Sequence, residues 1–350
     1  MKHTISWVLA MARYGQNRGV RPFLKWAGGK SQLLSEFARC LPGHALRNGA
    51  ITRYVEPFIG GGAVFFSLVP RFPFTESVIC DINEELVLTY RVIRTSLPRL
   101  SGELATLSSE YHALSGPGQE AYYYEVRDAF NRERETTGFG RYNARWIRRA
   151  AQIIFLNHTC YNGLFRVNRN GRFNVPFGRY RNPEILNYQN LEGAVALLSR
   201  TRILCGDFTR CMSSADEQTF VYLDPPYRPL NATSSFTSYS RGGFSEEDQK
   251  RLVVFFRELD RKGAYVMLSN SDPAGEKPGD TFFDELYDGF TIRRVPARRM
   301  INCNGARRGM VSELLITNYE YGKPGTWRAG KPLSAPTKEK IRRANGRPCP

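Results

Sequence analysis

The stretch FVYLDPPY, residues 220–227, constrains the fold of this chain more than any other feature of its sequence. An apolar run of this length favours a buried strand, and the two prolines after the acidic residue prevent the strand from continuing. Asp224 and the carbonyl of Pro225 are therefore predicted to lie at the carboxyl end of a strand, where open α/β sheets bind ligands. Two fixed hydrogen-bond acceptors beside the ring of Tyr227 suit the amino group of a planar base. The alternative is a strand followed by a turn that has no chemical role.

Three other predicted strands also lead into acidic residues. Glu56 ends the strand YVE, Asp81 ends SVICD, and Asp207 closes RILCGD. In dinucleotide-type folds, an acid at the end of the second strand binds ribose hydroxyls. The alternative for each acid, taken singly, is a solvated surface position at a strand end.

A glycine-rich turn follows the first of these strands. Its pattern, Phe58-x-Gly60-x-Gly62, leads into a helical apolar run, so a ligand can approach the start of that helix closely. The turn lacks a third glycine at the Rossmann position, and the chain lacks a G-x-x-x-x-G-K-[ST] segment, which disfavours a pyrophosphate ligand. A ligand with an adenine, a ribose and a cationic centre fits the acids better. S-adenosylmethionine has all three parts.

The wider pattern predicts an α/β fold with an inserted module. Residues 20–95 and 203–320 alternate short apolar strands, turns and helical patterns, as a parallel sheet does. Residues 245–263 carry an N-cap serine and acidic first turn and are predicted as a helix, followed by strands at 264–270 and 312–319. Residues 120–190 are richer in Arg, Asn, Tyr and Gly, with helix-like runs at 120–135 and 143–157. The polar loop between residues 227 and 245 is long enough to act as a lid.

The charge balance favours a polyanionic partner. The chain has 50 basic and 33 acidic residues, a net charge of +17. The segment 323–350 holds eight Lys or Arg and one Glu, so 17 − 7 leaves +10 on residues 1–322. Because the excess is distributed over the chain, nucleic acid is the favoured partner class.

The cysteines and the N-terminal segment indicate a cytoplasmic protein. Seven cysteines without C-x-x-C spacing are typical of a reducing compartment, and no metal site can be assembled from local spacing. The apolar stretch ISWVLAMA, residues 5–12, has eight residues and a weak basic flank, which disfavours a signal peptide. No apolar run is long enough to span a membrane.

A basic, aromatic segment within the inserted module predicts a nucleic-acid contact. Residues 161–182 contain five Arg and no acid, interleaved with aromatic residues, and NRNG at 168–171 is a turn signal between two strand-like arms. A two-stranded ribbon fits the major groove, where Arg can contact guanine with two hydrogen bonds. The alternative is a basic hairpin that touches phosphates alone.

Several ordered motifs give the chain a family resemblance over residues 20–320. They are PFLKWAGGK (22–30), EPFIGGGAVFF (56–66), DIN (81–83), TCYNGLFRVNRNGRFNVPFGRY (159–180), GDF (206–208), DPPY (224–227) and SELLITNY (312–319). In this order the chain resembles the Dam family of DNA adenine-N6 methyltransferases, with the glycine motif first, the target-recognition region second and D-P-P-Y last. The resemblance implies a Rossmann-like, S-adenosylmethionine-dependent methyltransferase sheet with an inserted, mainly helical target-recognition domain that carries a β-hairpin. It also implies recognition of 5′-GATC-3′ in double-stranded DNA.

The predicted organisation follows from the resemblance and the composition. Residues 21–95 and 190–322 form the catalytic domain, and residues 96–189 form the target-recognition domain. Residues 1–20 are an N-terminal extension, and residues 323–350 are a basic tail that lacks an apolar face and is predicted to be disordered. No obligate protein partner is inferred.

The resemblance also implies the site residues, in three sets. The cofactor set is Trp26, Ala27, Gly28, Lys30, Glu56, Phe58, Gly60, Gly62, Asp81, Asn83, Asp207, Phe208 and Asp224. The catalytic set, around the target adenine, is Asp224, Pro225, Pro226 and Tyr227. The DNA-binding set is Lys25 at the first guanine, Tyr161 and Asn162 beside the flipped adenine, and Leu164, Arg166, Pro176 and Arg179 on the hairpin.

The predicted function is transfer of a methyl group from S-adenosylmethionine to adenine N6 in duplex DNA, without a metal. Two alternatives from other classes remain. An RNA adenine methyltransferase would share the cofactor motifs and D-P-P-Y but need not carry the Arg-rich hairpin. A catalytically inactive, sequence-specific DNA-binding protein would keep the hairpin but should have lost the glycine turn or Asp224, and both are present.

Overall fold

A computed structural model describes residues 19–26, 28, 30, 33–228, 244–275, 277, 279–298 and 310–321. Most of the N-terminal extension, Ala27, the polar loop at 229–243 and the basic tail lie outside the described residues. Predictions on those segments stay predictions.

The described residues form one seven-stranded sheet, in the order β3-β2-β1-β4-β5-β7-β6. The strands are β1 Arg53–Glu56, β2 Glu76–Asp81, β3 Thr201–Cys205, β4 Thr219–Leu223, β5 Tyr265–Ser271, β6 Thr291–Arg298 and β7 Met310–Thr317. Strands β1 to β5 are mutually parallel, and β7 runs antiparallel to both β5 and β6. Successive strands are added on one side of β1 up to β3 and on the other side from β4 onwards. Open α/β sheets bind ligands at such a switch point, in the crevice at the carboxyl ends of the strands.

The helices are α1 Leu34–Cys40, α2 Gly43–Arg47, α3 Ala63–Leu68, α4 Glu84–Ala113, α5 Gly116–Thr137, α6 Arg145–Thr159, α7 Tyr188–Leu198, α8 Glu246–Arg261 and α9 Phe282–Leu286. Short 3₁₀ turns lie at Val69–Arg71, Tyr161–Gly163, Phe208–Ser214 and Pro273–Gly275. Helix α8 starts at a capping box, in which Ser245 and Asp248 each accept a hydrogen bond from the other's backbone N–H. The helix predicted over 245–263 is therefore confirmed in position and in its start signal.

The sheet buries both of its faces, as parallel sheets do. Alternate residues of β4 enter two different apolar clusters: Phe220 and Tyr222 enter the first, and Val221 and Leu223 enter the second. The first cluster continues into the helical module between β2 and β3, and the second lies under α8. This two-sided burial explains why the strands appear in the sequence as nearly continuous apolar runs.

A buried ion pair ties the three helices of the module together. Arg149 of α6 donates from Nε and Nη2 to the two carboxylate oxygens of Glu85 in α4, at 2.7 and 2.5 Å. Its third nitrogen donates to the carbonyl of Phe130 in α5 at 2.8 Å. Ser96, with φ −145°, interrupts α4 two residues before Pro98, and the segment beyond it packs as part of the module.

The structure confirms the predicted α/β class with a mainly helical insertion. The helix-like runs at 120–135 and 143–157 are α5 and α6; α5 is longer than predicted, and α6 has the predicted length but begins and ends two residues later. The hairpin arms differ from the prediction, because isolated antiparallel bridges, Cys160–Phe177 and Val167–Phe173, join them instead of regular strands. The reason is that Asn131 of α5 binds both the N–H and the carbonyl of Phe173, using backbone groups that a ladder would need.

Two further findings bear on the predictions. Among the residues that the structure describes, no helix is both long and apolar enough to cross a membrane. The five described cysteines, Cys40, Cys80, Cys160, Cys205 and Cys211, are free thiols.

Candidate active site

Asp224 lies directly after β4 and makes two contacts that fix its carboxylate. Lys30 Nζ lies 2.9 Å from Oδ1, and the hydroxyl of Ser269 donates to the same oxygen at 3.1 Å. The hydroxyls of Ser269 and Tyr222 are hydrogen bonded at 2.8 Å inside the sheet. Burial raises the pKa of Asp224, and the charge of Lys30 opposes that rise. Asp224 is thus a hydrogen-bond acceptor held by two partners at the switch point of the sheet.

Lys30 is the buried centre of this cluster, with 3% of its side chain exposed. Its ammonium group donates to the carbonyl of Gly28 at 3.2 Å and to the hydroxyl of Tyr227. It also lies 4.4 Å from the centroid of the Tyr227 ring. The ring that follows the two prolines therefore packs against Lys30 and holds it beside Asp224.

Glu313 of β7 is a further acid in the cluster and was missed by sequence reasoning. Its Oε2 lies 3.7 Å from Lys30 Nζ. Burial raises the pKa of Glu313, Lys30 opposes the rise and the charge of Asp224 adds to it. The signal was present in the motif SELLITNY, but antiparallel pairing of β7 with β5 is what brings Glu313 opposite Ser271, at the ligand edge of the sheet.

Two acids end strands β1 and β2 beside this cluster. Burial raises the pKa of Glu56 well above its ordinary range, although the hydroxyl of Tyr54 donates to it at 2.7 Å. Burial also raises the pKa of Asp81, to about 6, against hydrogen bonds from the N–H groups of Asn83 and Gly60 at 2.9 and 3.0 Å. Both acids are thus held in a low-dielectric crevice, where they favour a ligand that offers hydrogen bonds or positive charge.

The glycine turn packs closely against its surroundings. Gly60 and Gly62 have φ of 47° and 76°, a region that favours glycine. A Cβ at Gly60 would lie 2.9 Å from the Trp26 ring, and one at Gly62 would lie 2.7 Å from the Tyr90 hydroxyl. The turn needs glycine at both positions because an added side chain would be strained and would collide.

Asp207 and Phe208 lie at the end of β3, on one side of the crevice. Asp207 accepts hydrogen bonds from the N–H of Thr209 and from Arg251, both at 3.0 Å. Burial alone would raise its pKa, but the bonds from Thr209 and Arg251 hold the pKa of Asp207 below its ordinary value. The ring of Phe208 lies 5.4 Å from that of Phe58, so these two predicted cofactor residues form one aromatic surface.

Lys25 belongs to the same PFLKWAGGK segment as Lys30, but it lies against the hairpin of residues 161–182. Its N–H donates to Asn157 Oδ1 at 2.8 Å, and Asn157 Nδ2 donates to the carbonyls of Lys25 and Gly163, both at 2.9 Å. The Lys25 ammonium lies 4.8 Å from the Tyr180 ring centroid. Asn157 therefore fixes the segment that leads to the active site onto the base of the hairpin.

The hairpin presents its polar residues outward and its aromatic residues inward. Phe165, Phe173 and Phe177 are buried, whereas Tyr161 is 55% exposed. Exposed Arg166 donates from Nε to Asn174 Oδ1 at 2.9 Å, across the two arms. Asn162 and Arg179 have positive φ, of 56° and 54°, which marks two strained positions at the ends of the segment.

The structure brings most of the predicted residues into two neighbouring groups. The crevice group consists of Trp26, Gly28, Lys30, Glu56, Phe58, Gly60, Gly62, Asp81, Asn83, Asp207, Phe208, Asp224, Pro225, Pro226 and Tyr227. The hairpin group consists of exposed Lys25, Tyr161, Asn162, Arg166, Pro176 and Arg179 and of half-buried Leu164. Trp26 connects the two groups, because its ring stacks on that of Phe165 in the hairpin, with ring centroids 5.4 Å apart and 18° between the ring planes. Two predicted residues have structural partners: Asn83 caps α4, and the carbonyl of Pro226 accepts from Gln249 at 3.3 Å.

Comparison with known proteins assigns a family to this arrangement. Residues 26–301 match the D12 class N6 adenine-specific DNA methyltransferase family. The chain is 49% identical to Type II methyltransferase M.MjaIII of Methanocaldococcus jannaschii over 86% of this chain and 99% of that protein. It is 37% identical to Type II methyltransferase M1.LlaDCHI of Lactococcus lactis subsp. cremoris, over 86% and 96%. It is 34% identical to DNA adenine methylase of Escherichia coli strain K12, over 84% and 94%.

Proposed function

We propose that this chain, which belongs to the D12 class N6 adenine-specific DNA methyltransferase family, transfers a methyl group from S-adenosylmethionine to adenine within 5′-GATC-3′. The family and its named relatives make the chain an adenine-specific DNA methyltransferase. The methyl donor, the recognised sequence and the role of each residue are the proposed part.

The crevice residues fit S-adenosylmethionine. Beside the glycine turn, Asp81 accepts a hydrogen bond from the N–H of Gly60 and has a carboxylate suited to ribose hydroxyls. Phe58 and Phe208 supply an aromatic surface for the adenine ring of the cofactor. When bound, the cofactor supplies a methyl carbon on a positively charged sulfur, from which the carbon is released as it bonds to adenine N6.

Asp224 carries the chemical part of the proposal. The N6 lone pair of adenine is delocalised into the ring, so N6 becomes a better nucleophile when acceptors hold its two N–H bonds. Asp224 and the carbonyl of Pro225 are the proposed acceptors, and the Tyr227 ring is the proposed stacking surface for the target base. The negative charge of Asp224 also stabilises the positive charge that develops at N6 during the transfer.

The exposed hairpin carries the proposed contact with DNA. Adenine must leave the duplex to reach Asp224, and Tyr161, which is exposed, is the aromatic ring proposed to occupy the gap. Arg166 and Lys25 are proposed to contact guanines of the site, with Leu164, Pro176 and Arg179 along the same ribbon. We assign residues 96–189 to target recognition and residues 21–95 and 190–322 to catalysis. In this order the glycine motif comes first, the target-recognition region second and D-P-P-Y last.

The test is methyl transfer from labelled S-adenosylmethionine to duplex oligonucleotides with one GATC site, followed by mapping of the modified base. The proposal expects N6-methyladenine in GATC and much slower transfer to single-base variants of the site. Matched RNA duplexes and a duplex without adenine in the site serve as controls. Faster transfer to RNA, or label on cytosine, would contradict the proposal.

A further inference from the structure

Two carboxylates share one ammonium group in the buried cluster behind the D-P-P-Y motif. Lys30 Nζ lies 2.9 Å from Asp224 Oδ1 and 3.7 Å from Glu313 Oε2. The side chains of Asp224 and Glu313 are 20% and 15% exposed. Glu313 Oε2 is fully buried and has no hydrogen-bond partner in the part of the chain that the structure describes. A buried carboxylate oxygen without a hydrogen bond is costly, so the charge of Lys30, 3.7 Å away, is what offsets its burial.

The ion pair between Lys30 and Asp224 conflicts with the proposed role of Asp224, which is to accept a hydrogen bond from adenine N6. Asp224 Oδ1 already faces the ammonium of Lys30 and the hydroxyl of Ser269. An amino group that hydrogen bonds to this same oxygen would therefore compete with Lys30. The ammonium would also lie next to N6, where positive charge develops during the transfer, and would oppose it. Lys30 needs another counter-ion when the target base is present.

We propose that Glu313 is that counter-ion: Lys30 pairs with Glu313 when adenine enters, which releases Asp224 to bind N6. The inference rests on the function proposed above and assigns Glu313 as a positioning residue that acts through Lys30. Coulomb energy varies inversely with distance, so Glu313 already attracts Lys30 about four-fifths as strongly as Asp224 does, from 2.9/3.7. A small displacement of the Lys30 ammonium towards Glu313 makes Glu313 its stronger partner.

Tyr227 supplies a surface along which Lys30 can exchange partners. The ammonium lies 4.4 Å from the Tyr227 ring centroid, and such cation–π contacts do not depend on one hydrogen-bond direction. Burial, followed by the charges of Asp224 and Glu313, raises the pKa of Tyr227, so its hydroxyl stays protonated beside both acids. With Lys30 neutralised by Glu313, the charge of Asp224 faces the N6 cation without compensation.

The first test compares Glu313→Gln, which removes the charge, with Glu313→Asp, which keeps it. Single-turnover methylation of a GATC duplex should slow by on the order of 10- to 100-fold in Glu313→Gln, the effect of one buried charge. Glu313→Asp should recover most of the rate, and the affinity for S-adenosylmethionine should change less than about twofold in both. Glu247→Gln, at a 76% exposed position of α8, is the matched control. Equal rates in wild type and Glu313→Gln would overturn the inference.

The second test measures binding without cofactor. Duplexes carry either adenine or purine, which lacks the exocyclic amine, at the target position. Wild type should prefer adenine over purine by more than Glu313→Gln does, because Asp224 in the variant stays paired with Lys30. An unchanged adenine-to-purine ratio in a folded Glu313→Gln protein would overturn the inference even if methylation had slowed.

The third test is a double-mutant cycle with Lys30→Met. If Glu313 acts through Lys30, Glu313→Gln should have a much smaller effect on the rate when Lys30 is already replaced. Multiplicative effects of the two substitutions would show that Glu313 acts independently of Lys30. Absence of adenine methylation by wild type would contradict the proposed function instead, and the binding comparison would still decide the role of Glu313.

Discussion

Lys25 and Lys30 belong to one nine-residue segment but lie in opposite environments. Lys25 is exposed on the hairpin side, with its ammonium 4.8 Å from the ring of Tyr180. Lys30 is buried on the crevice side, 4.4 Å from the ring of Tyr227 and 2.9 Å from a carboxylate. Both lysines stack on a tyrosine, but water screens the first charge and not the second.

The burial of Lys30 and the exposure of Lys25 reflect a general difference between the crevice and the hairpin. In the crevice, the charged groups are buried or half-buried, so removal of one group should alter chemistry or cofactor binding strongly. On the hairpin, charges are many and exposed, so removal of one should alter DNA affinity or sequence preference modestly. Trp26, stacked on Phe165, is the physical connection between the two regions.

The largest expected effect is that of Asp224→Ala on the methyl-transfer step. Loss of a buried acceptor that acts mainly in the transition state should reduce the single-turnover rate by about two to three orders of magnitude. Affinity for duplex DNA should stay within a few-fold, because the proposed DNA contacts lie on Lys25 and the hairpin. Rapid-quench measurement of labelled methyl transfer checks this, and near-normal turnover would remove Asp224 from the mechanism.

Folding stability should depend on pH through Asp81. Its pKa rises from 3.8 in the unfolded chain to about 6 in the fold, so the native state binds more protons between those values. Stability from this residue is fully present below pH 3.8 and is lost as the pH rises through about 6, a change of up to about 3 kcal/mol.

Asp81→Asn should remove that dependence, so the variant should gain stability relative to wild type as the pH rises from 4 to 7. Urea unfolding at several pH values, without cofactor, measures the difference. Parallel curves for the two proteins would show that Asp81 has an ordinary pKa.

Cofactor affinity should distinguish the two ends of β2. Asp81→Ala should weaken S-adenosylmethionine binding by about 1–3 kcal/mol, the effect of losing a charged acceptor for ribose hydroxyls. Glu76→Ala is the matched control, since Glu76 begins the same strand, is 46% exposed and pairs with Arg53. Calorimetry should find the control unchanged. Equal affinities of wild type and both variants for S-adenosylmethionine would show that Asp81 ends the strand without binding the cofactor.

On the hairpin, Arg166→Ala should lose about 1–3 kcal/mol of discrimination at one base pair if Arg166 contacts guanine. Arg169→Ala, in the exposed turn of the same ribbon, is the control for phosphate contacts. A phosphate contact weakens binding to all duplexes alike and lowers the salt slope by about one. Competition binding at several salt concentrations separates the two behaviours.

The sequence predicted what depends on local pattern. The apolar runs at 77–81, 220–223 and 264–270 became β2, β4 and β5 because a parallel sheet buries both faces of its strands. The capping box at Ser245 predicted the start of α8, whereas the close approach of a ligand predicted from the glycine turn stays a prediction, because the groups nearest to Gly60 and Gly62 are the side chains of Trp26 and Tyr90.

What remained hidden depends on contacts between distant residues. Glu313 joins Lys30 through pairing of β7 with β5, and no local signal gives that register. The sequence also did not show that the hairpin arms pair through isolated bridges and not through regular strands, because Asn131, from a helix outside the ribbon, binds the Phe173 backbone. The buried Arg149–Glu85 pair joins the helix-like run at 143–157 to a distant helix, and no local pattern indicated that contact.

The central claim, that the crevice performs the chemistry and the hairpin reads the sequence, is tested most directly by one panel of rates. Wild type, Asp224→Ala and Arg166→Ala are compared at fixed salt on GATC and its single-base variants. Asp224→Ala should lower all rates by one common factor and keep the preference for GATC, whereas Arg166→Ala should reduce the preference at one base pair. A uniform loss for Arg166→Ala, with the GATC preference intact, would contradict the claim and reduce Arg166 to a phosphate contact.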